Sequence, residues 1–229
     1  MEDCEFQNLY DEELARDWNR RLLLEKDRIA YEIKILGKLI KKVDTWLDVA
    51  CGSGYFLSQF REIKRAGFDK SPAMVKIAQQ ENPDAMFIRV ADYLNEYPEW
   101  TGKWGLVSCM WQAYCYVDTM SDFEKVIHNL ATWTANNGIC FVPFGAPLGK
   151  NPSIPYQRNA HSVWGGKVVQ SGVIWSWIDE LTGKTHKNLI EPHPEHMSAL
   201  FNNYFNEVEI IEYPNEGLYA IIAREKRNK

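Results

Sequence analysis

The chain predicts an α/β fold built on a mostly parallel, doubly wound sheet with an antiparallel pair at its edge and a β-rich insertion. Three observations carry that expectation. Between residues 43 and 145, apolar runs of strand length alternate with segments of helical period, the pattern of parallel strands joined by right-handed crossovers. At residues 46–60, WLDVACGSGYFLSQF, an apolar run stops in a turn bearing Gly52 and Gly54 and restarts at once with Phe56, Leu57 and Phe60 at helical spacing. Beyond residue 145 the character changes: a Gly/Pro-rich loop is followed by strand-like runs around tight turns, and the chain ends in two strands close enough to form a hairpin.

Residues 11–42 read as helix, with Leu14, Trp18, Leu22, Ile29, Ile33 and Leu36 near a 3.6 period. Strand one is expected at 45–50, a helix from about 54 to 60, strand two at 64–68, and a helix from 72 to 80. Ser71 caps that helix and Pro72 fits its first position. A short third strand follows at 85–90 and an apolar fourth at 104–110. The spacing then predicts a helix over 121–134 capped by Ser121 or Asp122, a turn at Asn136-Asn137-Gly138, and strand five at 139–144. The insertion should hold strands at 167–178 and 184–190, then a helix at 196–204. The closing pair is expected at 208–212 and 218–223. The boundaries follow: one domain, with a helical segment at 8–42, a core at 43–145 and 196–229, and the insertion at 146–195.

Its 229 residues are long enough to bury one sizeable core, and 45% hydrophobic with 25% charged residues is ordinary for a soluble protein. A net charge of -5 without a basic stripe gives no nucleic-acid footprint. No run of eighteen apolar residues predicts a membrane span, and the acidic N-terminus lacks the layout of a signal peptide. The odd set Cys4, Cys51, Cys109, Cys115 and Cys140 points to reduced thiols in the cytoplasm. Without a C-x-x-C pair, and with Pro194 between His193 and His196, no metal site is expected.

A glycine turn between strand and helix lets a ligand approach the backbone and meet free N–H groups at a helix start. The turn here departs from G-x-G-x-x-G, because Leu57 stands at the third glycine, and it lacks the Gly-Lys-Ser/Thr of a P-loop. Asp48-Val49-Ala50-Cys51-Gly52-Ser53-Gly54 resembles the first motif of class I S-adenosylmethionine-dependent methyltransferases. Gly67-Phe68-Asp69-Lys70-Ser71-Pro72-Ala73-Met74 resembles that family's G-x-D-x-S-x-x-M stretch, Ala91-Asp92 its acidic position after strand three, and residues 104–111 its fourth strand.

The resemblance, over residues 43–145 and the terminal strand pair, implies a seven-stranded sheet whose last strand is antiparallel. It implies S-adenosyl-L-methionine as cofactor and a set of roles. Ala50, Gly52 and Gly54 approach the methionine end and Asp48 organises the turn. Asp69, with Lys70 and Met74 beside it, takes the ribose, and Asp92, flanked by Ala91 and Tyr93, takes the adenine. Met110, Trp111 and Gln112 line the cofactor pocket. Tyr10, in Leu9-Tyr10-Asp11, resembles a Tyr-Asp pair that reaches over the methionine end in many small-molecule members. The plainer reading makes Asp69 and Asp92 turn or cap residues and Tyr10 part of a helix start.

No Asn/Asp-Pro-Pro-Tyr, the motif of amide-nitrogen methyltransferases, follows strand four, where Met110-Trp111-Gln112-Ala113-Tyr114-Cys115-Tyr116 stands. The insertion and its flank carry Tyr156, Arg158, His161, Trp164, Trp175, Trp177, His186, His193 and His196, which suits a lid over a small organic acceptor. The layout is similar to that of enzymes methylating amino sugars or sugar hydroxyls. His161, His186 and His193 are the base candidates for a hydroxyl acceptor; an amine needs only its neutral form. Tyr114 either contacts the acceptor or packs on the next helix. The expected function is methyl transfer to an amine or hydroxyl of a small molecule, and the aromatic insertion also suits a homodimer interface. The alternatives are a non-catalytic cofactor- or partner-binding module and an RNA or protein methyltransferase. A nicotinamide oxidoreductase is disfavoured by Leu57 and the terminal pair.

Overall fold

The computed structural model describes residues 10–145, 156–159, 167–171, 173–179, 182–214 and 217–227; residues 156–159 and 167–171 are described by backbone alone. Seven strands form the main sheet in the order β10-β11-β5-β4-β1-β2-β3. They are β1 (Thr45–Val49), β2 (Lys64–Asp69), β3 (Phe87–Val90), β4 (Trp104–Cys109), β5 (Thr134–Gly145), β10 (Phe205–Glu212) and β11 (Leu218–Lys226). The pairs among β1 to β5 are parallel, and β11 runs antiparallel to both β5 and β10. Strand order reverses between β1 and β4, so their carboxyl ends open the crevice where sheets of this type take ligands.

Both faces of the sheet are covered, because strand residues alternate between two apolar layers. Leu47, Val49 and Phe68 pack with α5 (Met120–Trp133) and α6 (Pro194–Asn202) through Phe123, Leu130 and Phe201. Trp46 and Phe141 pack on the other face with α2 (Lys26–Ile40), the single-turn α3 (Tyr55–Ser58) and α4 (Pro72–Glu81) through Leu36, Leu39, Leu57 and Ala78. A second, four-stranded antiparallel sheet, β6-β7-β8-β9, comes from the insertion: Tyr156–Asn159, Lys167–Ser171, Ile174–Ile178 and Thr185–Ile190.

Several boundaries differ from the sequence reading. The N-terminal helix is two helices, α1 (Glu12–Leu22) and α2, joined by a 3-10 turn in which Leu23 and Leu24 are exposed. The break lets α1 cross the strand ends while α2 lies on the sheet face. The cap of α5 is Thr119, whose Oγ1 accepts from Asp122 N at 3.0 Å and donates to the Asp122 carboxylate. The expected Asn-Asn-Gly turn is instead a wide bulge within β5: Thr134 pairs with Trp104, and Ile139 with Leu106. Helix α6 starts earlier than expected, with Pro194 at its first turn and His193 at its N-cap position.

Candidate functional site

The sequence candidates for the donor side converge at the carboxyl ends of β1, β2 and β3. Ala50, Gly52 and Gly54 all have positive φ, at 54°, 54° and 73°. At Gly54 a Cβ would lie 2.6 Å from Asn82 Nδ2, so the turn leaves no room for a side chain. The close helix–strand approach that a third glycine would give is supplied from the other partner. Gly67 on β2 has Leu57 Cδ1 2.8 Å from where its Cβ would be, so Leu57 packs fully buried.

Asp69, at the end of β2, draws this turn and the start of α4 together. Its Oδ2 accepts from Gly52 N at 2.8 Å and its Oδ1 from Ser71 N at 2.9 Å. Burial pushes its carboxyl up to about 6 against those hydrogen bonds. Asp48 Oδ1 accepts from Ser108 Oγ at 2.6 Å, and that oxygen accepts from Trp46 Nε1 at 2.7 Å; burial raises Asp48 to about 7. Asp92 sits after β3 with Oδ1 on Leu94 N at 2.9 Å, an Asx turn, and Oδ2 2.9 Å from Lys70 Nζ. Met74 is buried behind the α4 cap, where its N–H donates to Ser71 Oγ. Ala91 N donates to Asp69 O, and the Tyr93 hydroxyl donates to Tyr116 O at 2.8 Å.

Helix α1 covers the glycine turn. Trp18 Nε1 lies 3.5 Å from the Cβ position of Gly52, and Ser53 Oγ donates to the Asn19 side chain. Just before the helix, Tyr10 O accepts from Ser71 Oγ at 2.7 Å. The Tyr10 hydroxyl donates to Tyr116 Oη at 2.8 Å, and Tyr116 Oη lies 2.8 Å from His186 Nδ1 on β9. Trp177 stacks on the His186 ring at 4.2 Å. Two ion pairs tie α1 to the second sheet: Asp11 with Lys184 at 2.6 Å, and the buried Arg21 with the buried Asp179 at 2.7 Å. Burial lowers His186 to about 4, so its ring is neutral at pH 7 and accepts from Tyr116 when Nε2 carries its proton.

After β4 the chain makes an uncommon excursion. Trp111 and Gln112 are consecutive non-glycine residues in the left-handed region, at φ 55° and 60°, a conformation costing about 1–3 kcal/mol at each position. A buried carboxylate meets each side chain. Trp111 Nε1 donates to Glu32 Oε2 at 2.7 Å, while Arg28 stacks on the indole at 4.4 Å and bonds Glu32 Oε1 at 3.0 Å. Gln112 Nε2 donates to Glu191 Oε2 at 2.7 Å; Glu191 Oε1 accepts from the Tyr114 hydroxyl and from Gly145 N, 3.1 Å away at the end of β5. Burial raises Glu32, and raises Glu191 to about 7.

Of the remaining candidates, Tyr114 is fully buried with its ring edge on Phe123 of α5 and its hydroxyl donating to Glu191, which is the packing arrangement. Met110 is buried beside Trp111 in the layer under α2. His193 is exposed at the start of α6, and His161 lies outside the described residues. Sequence reasoning passed over Glu32, Glu191, Arg21 and Asp179. Glu32 had a signal, since it falls on the apolar stripe of Ile29 and Leu36. Glu191, in Ile190-Glu191-Pro192, had none.

A family model described as a methyltransferase domain matches residues 10–177. The chain belongs to that family. A dTDP-4-amino-2,3,4,6-tetradeoxy-D-glucose N,N-dimethyltransferase of Saccharopolyspora spinosa is 27% identical over 112 residues, 48% of this chain and 44% of that protein. The match therefore spans less than half the length of that relative. Among solved structures, Streptomyces venezuelae DesVI aligns over 92% of this chain and 97% of its own, with a TM-score of 0.70 and 20% identity. SAM-bound CalS10, an amino pentose methyltransferase from Micromonospora echinaspora, aligns over 86% and 90%, with a TM-score of 0.63 and 18% identity. Both are similar to this chain in overall fold.

Proposed function

We propose that this chain transfers a methyl group from S-adenosyl-L-methionine to the amine of a small amino sugar. The observation that carries the reading is the left-handed glycine turn and the Asp69 carboxylate meeting at the ends of β1 and β2, in a chain of the methyltransferase domain family. The amino-sugar acceptor is supported by the Saccharopolyspora relative.

The residues present fit such a donor. Gly54 lets the left-handed turn pack directly on Ala78 of α4 and Asn82 at its end, and Asp69 lies at a strand end where a short acid can accept from a diol. Among the described residues, the hydrogen-bond partners of Asp48 and Asp69 are neutral groups, so two buried carboxylates stand ready for a cationic ligand. Asp69 is assigned the ribose, Asp92 the adenine edge, Gly52 and Gly54 the methionine end, and Tyr10 with Trp18 the cover. The donor, when bound, supplies an electrophilic methyl on a sulfonium sulfur. The chain's contribution is alignment of the acceptor nitrogen and exclusion of water by α1 and the second sheet.

Of the histidines named as bases for a hydroxyl acceptor, His186 is not set up for that role. A hydroxyl acceptor wants a base poised near neutrality, whereas burial holds His186 near 4 and its Nδ1 faces Tyr116. An amine reacts as soon as it loses one proton. The reading extends to a cytoplasmic enzyme, supported by free thiols at Cys51, Cys109, Cys115 and Cys140, and to one domain within the boundaries expected from sequence. No described helix is long and apolar enough to cross a membrane. Homodimerisation is an expectation of the same kind, checked by light scattering.

The test is calorimetric titration with S-adenosylmethionine and S-adenosylhomocysteine, with NADH as control, followed by methyl transfer to dTDP-linked amino sugars. Binding of both sulfur ligands and not NADH, with transfer to nitrogen, is expected. A folded protein that binds neither sulfur ligand removes the donor assignment.

A further inference from the structure

The geometry points to Glu32 and Glu191 as a pair of positioning residues that hold Trp111 and Gln112 in the left-handed conformation from opposite sides. They thereby fix the loop between the donor turn and the acceptor lid before a ligand arrives. The inference rests on the methyl-transfer reading for its purpose, but not for its evidence.

Four observations converge. Two adjacent non-glycine residues, at φ 55° and 60°, interrupt the chain directly past the end of β4. Left alone, such a pair relaxes toward the right-handed or extended regions, because the Cβ of each L-residue crowds its own carbonyl. Each side chain is instead tied to a buried carboxylate at 2.7 Å, and the two carboxylates come from unrelated parts of the chain. Glu32 stands on α2, fully buried and braced by Arg28 and by the Tyr213 hydroxyl at 3.5 Å. Glu191 stands just past β9, at the joint between the second sheet and α6, and is braced by Tyr114 and Gly145 N.

The placement gives the clamp its use. β4 lies beside β1, so the residues past its end neighbour the glycine turn. Glu191 follows directly on β9, the strand whose His186 meets Tyr116 and, through it, Tyr10. Glu191 thus ties Gln112 to the base of the second sheet, while Glu32 holds Trp111 to the core. Neither glutamate touches the reacting atoms; each acts through the residue it holds.

Glycine separates this role from a purely structural one, since it takes the left-handed conformation unaided. With 5-fluorotryptophan incorporated, the Trp111 resonance is assigned by its loss in Trp111→Phe. In the ligand-free protein it moves in Glu32→Gln and in Glu191→Leu, and returns toward its original position in the Glu191→Leu/Gln112→Gly double variant. With S-adenosylmethionine and dTDP-4-amino-2,3,4,6-tetradeoxy-D-glucose as probes, Glu191→Leu lowers kcat about tenfold or more with KM for the donor nearly constant, and the double variant recovers part of that loss. If Glu191→Leu does not fold, Glu191→Gln leaves one acceptor oxygen where Gln112, Tyr114 and Gly145 N now share two, and gives the same shift at smaller size. A Trp111 resonance unmoved in both Glu191 variants, or a double variant no closer to wild type than the single, overturns the inference. A wild-type protein that binds S-adenosylhomocysteine but does not methylate that sugar counts against the acceptor assignment alone, because the ligand-free resonances still decide the clamp.

Discussion

The halves of the site proposed above for donor and acceptor are held by different kinds of bond. On the donor side, the Asp69 carboxylate accepts from backbone N–H groups of Gly52 and Ser71, supplied by the segments on either side of it in one strand–turn–helix pattern. On the acceptor side, Glu191 and His186 meet the side chains of Gln112, Tyr114 and Tyr116, some 70 to 79 residues away in sequence. Backbone donors are fixed by the fold of their own element. Side-chain partners stay in place only while distant elements stay packed, so the acceptor side should answer more strongly to damage elsewhere.

The largest effect is expected where α1 meets the second sheet. Arg21→Met strips the buried Asp179 of its cation and should destabilise the protein by about 3–5 kcal/mol, much of it recovered in Arg21→Met/Asp179→Leu. Urea denaturation of the two variants checks this; equal losses would mean that the pair is not what joins the two halves. Next comes the donor side alone. Asp69→Ala should weaken S-adenosylhomocysteine binding by about a hundredfold or more, from two charged hydrogen bonds of about 1.5–3 kcal/mol each, while the Trp177–His186 stack survives. Unchanged affinity in calorimetry takes Asp69 out of the site.

The pH dependence of stability sharpens the contrast. Asp48, Asp69 and Glu191 are raised to about 7, 6 and 7, so the folded chain keeps protons that the unfolded chain has released. Their contribution is complete below the ordinary carboxylate range and is lost as pH rises through about 6 to 7. His186, lowered to about 4, runs the other way: its contribution is complete above the ordinary histidine value and lost as pH falls toward 4. Three carboxylates outweigh one imidazole, so the denaturation midpoint of the ligand-free chain should fall between about pH 4 and 7, and Asp48→Asn should flatten the fall. A midpoint that rises over that interval would contradict it. The smallest effect is reserved for Lys70→Met. The Lys70–Asp92 pair is partly exposed, so its loss should cost less than about 1 kcal/mol in stability, again by denaturation.

Much of this arrangement was legible in the residues. The Ser71 cap with Pro72 behind it, the glycine turn, and the acids at 48, 69 and 92 each belong to a local pattern, and the structure gathers them at adjoining strand ends. The Asn136-Asn137-Gly138 turn misled because turn chemistry also serves a bulge, and the partner strand β4 decided between them. The single long N-terminal helix misled because its apolar period runs on from Leu22 to Ile29 across the break, although the two halves bury against different surfaces.

By itself the sequence determined the strand and helix order of the core, the glycine turn and the family, because these depend on neighbours within a few residues, but not that the expected strand at 167–178 is the hairpin of β7 and β8 or that β6 precedes it. Tertiary structure alone decided which polar side chains face one another. Glu32 with Trp111, Glu191 with Gln112, Arg21 with Asp179, and Tyr10 with Tyr116 and His186 join residues that no periodicity relates. A buried charge or hydroxyl must find a partner wherever packing brings one, and that partner is set by which elements share a face.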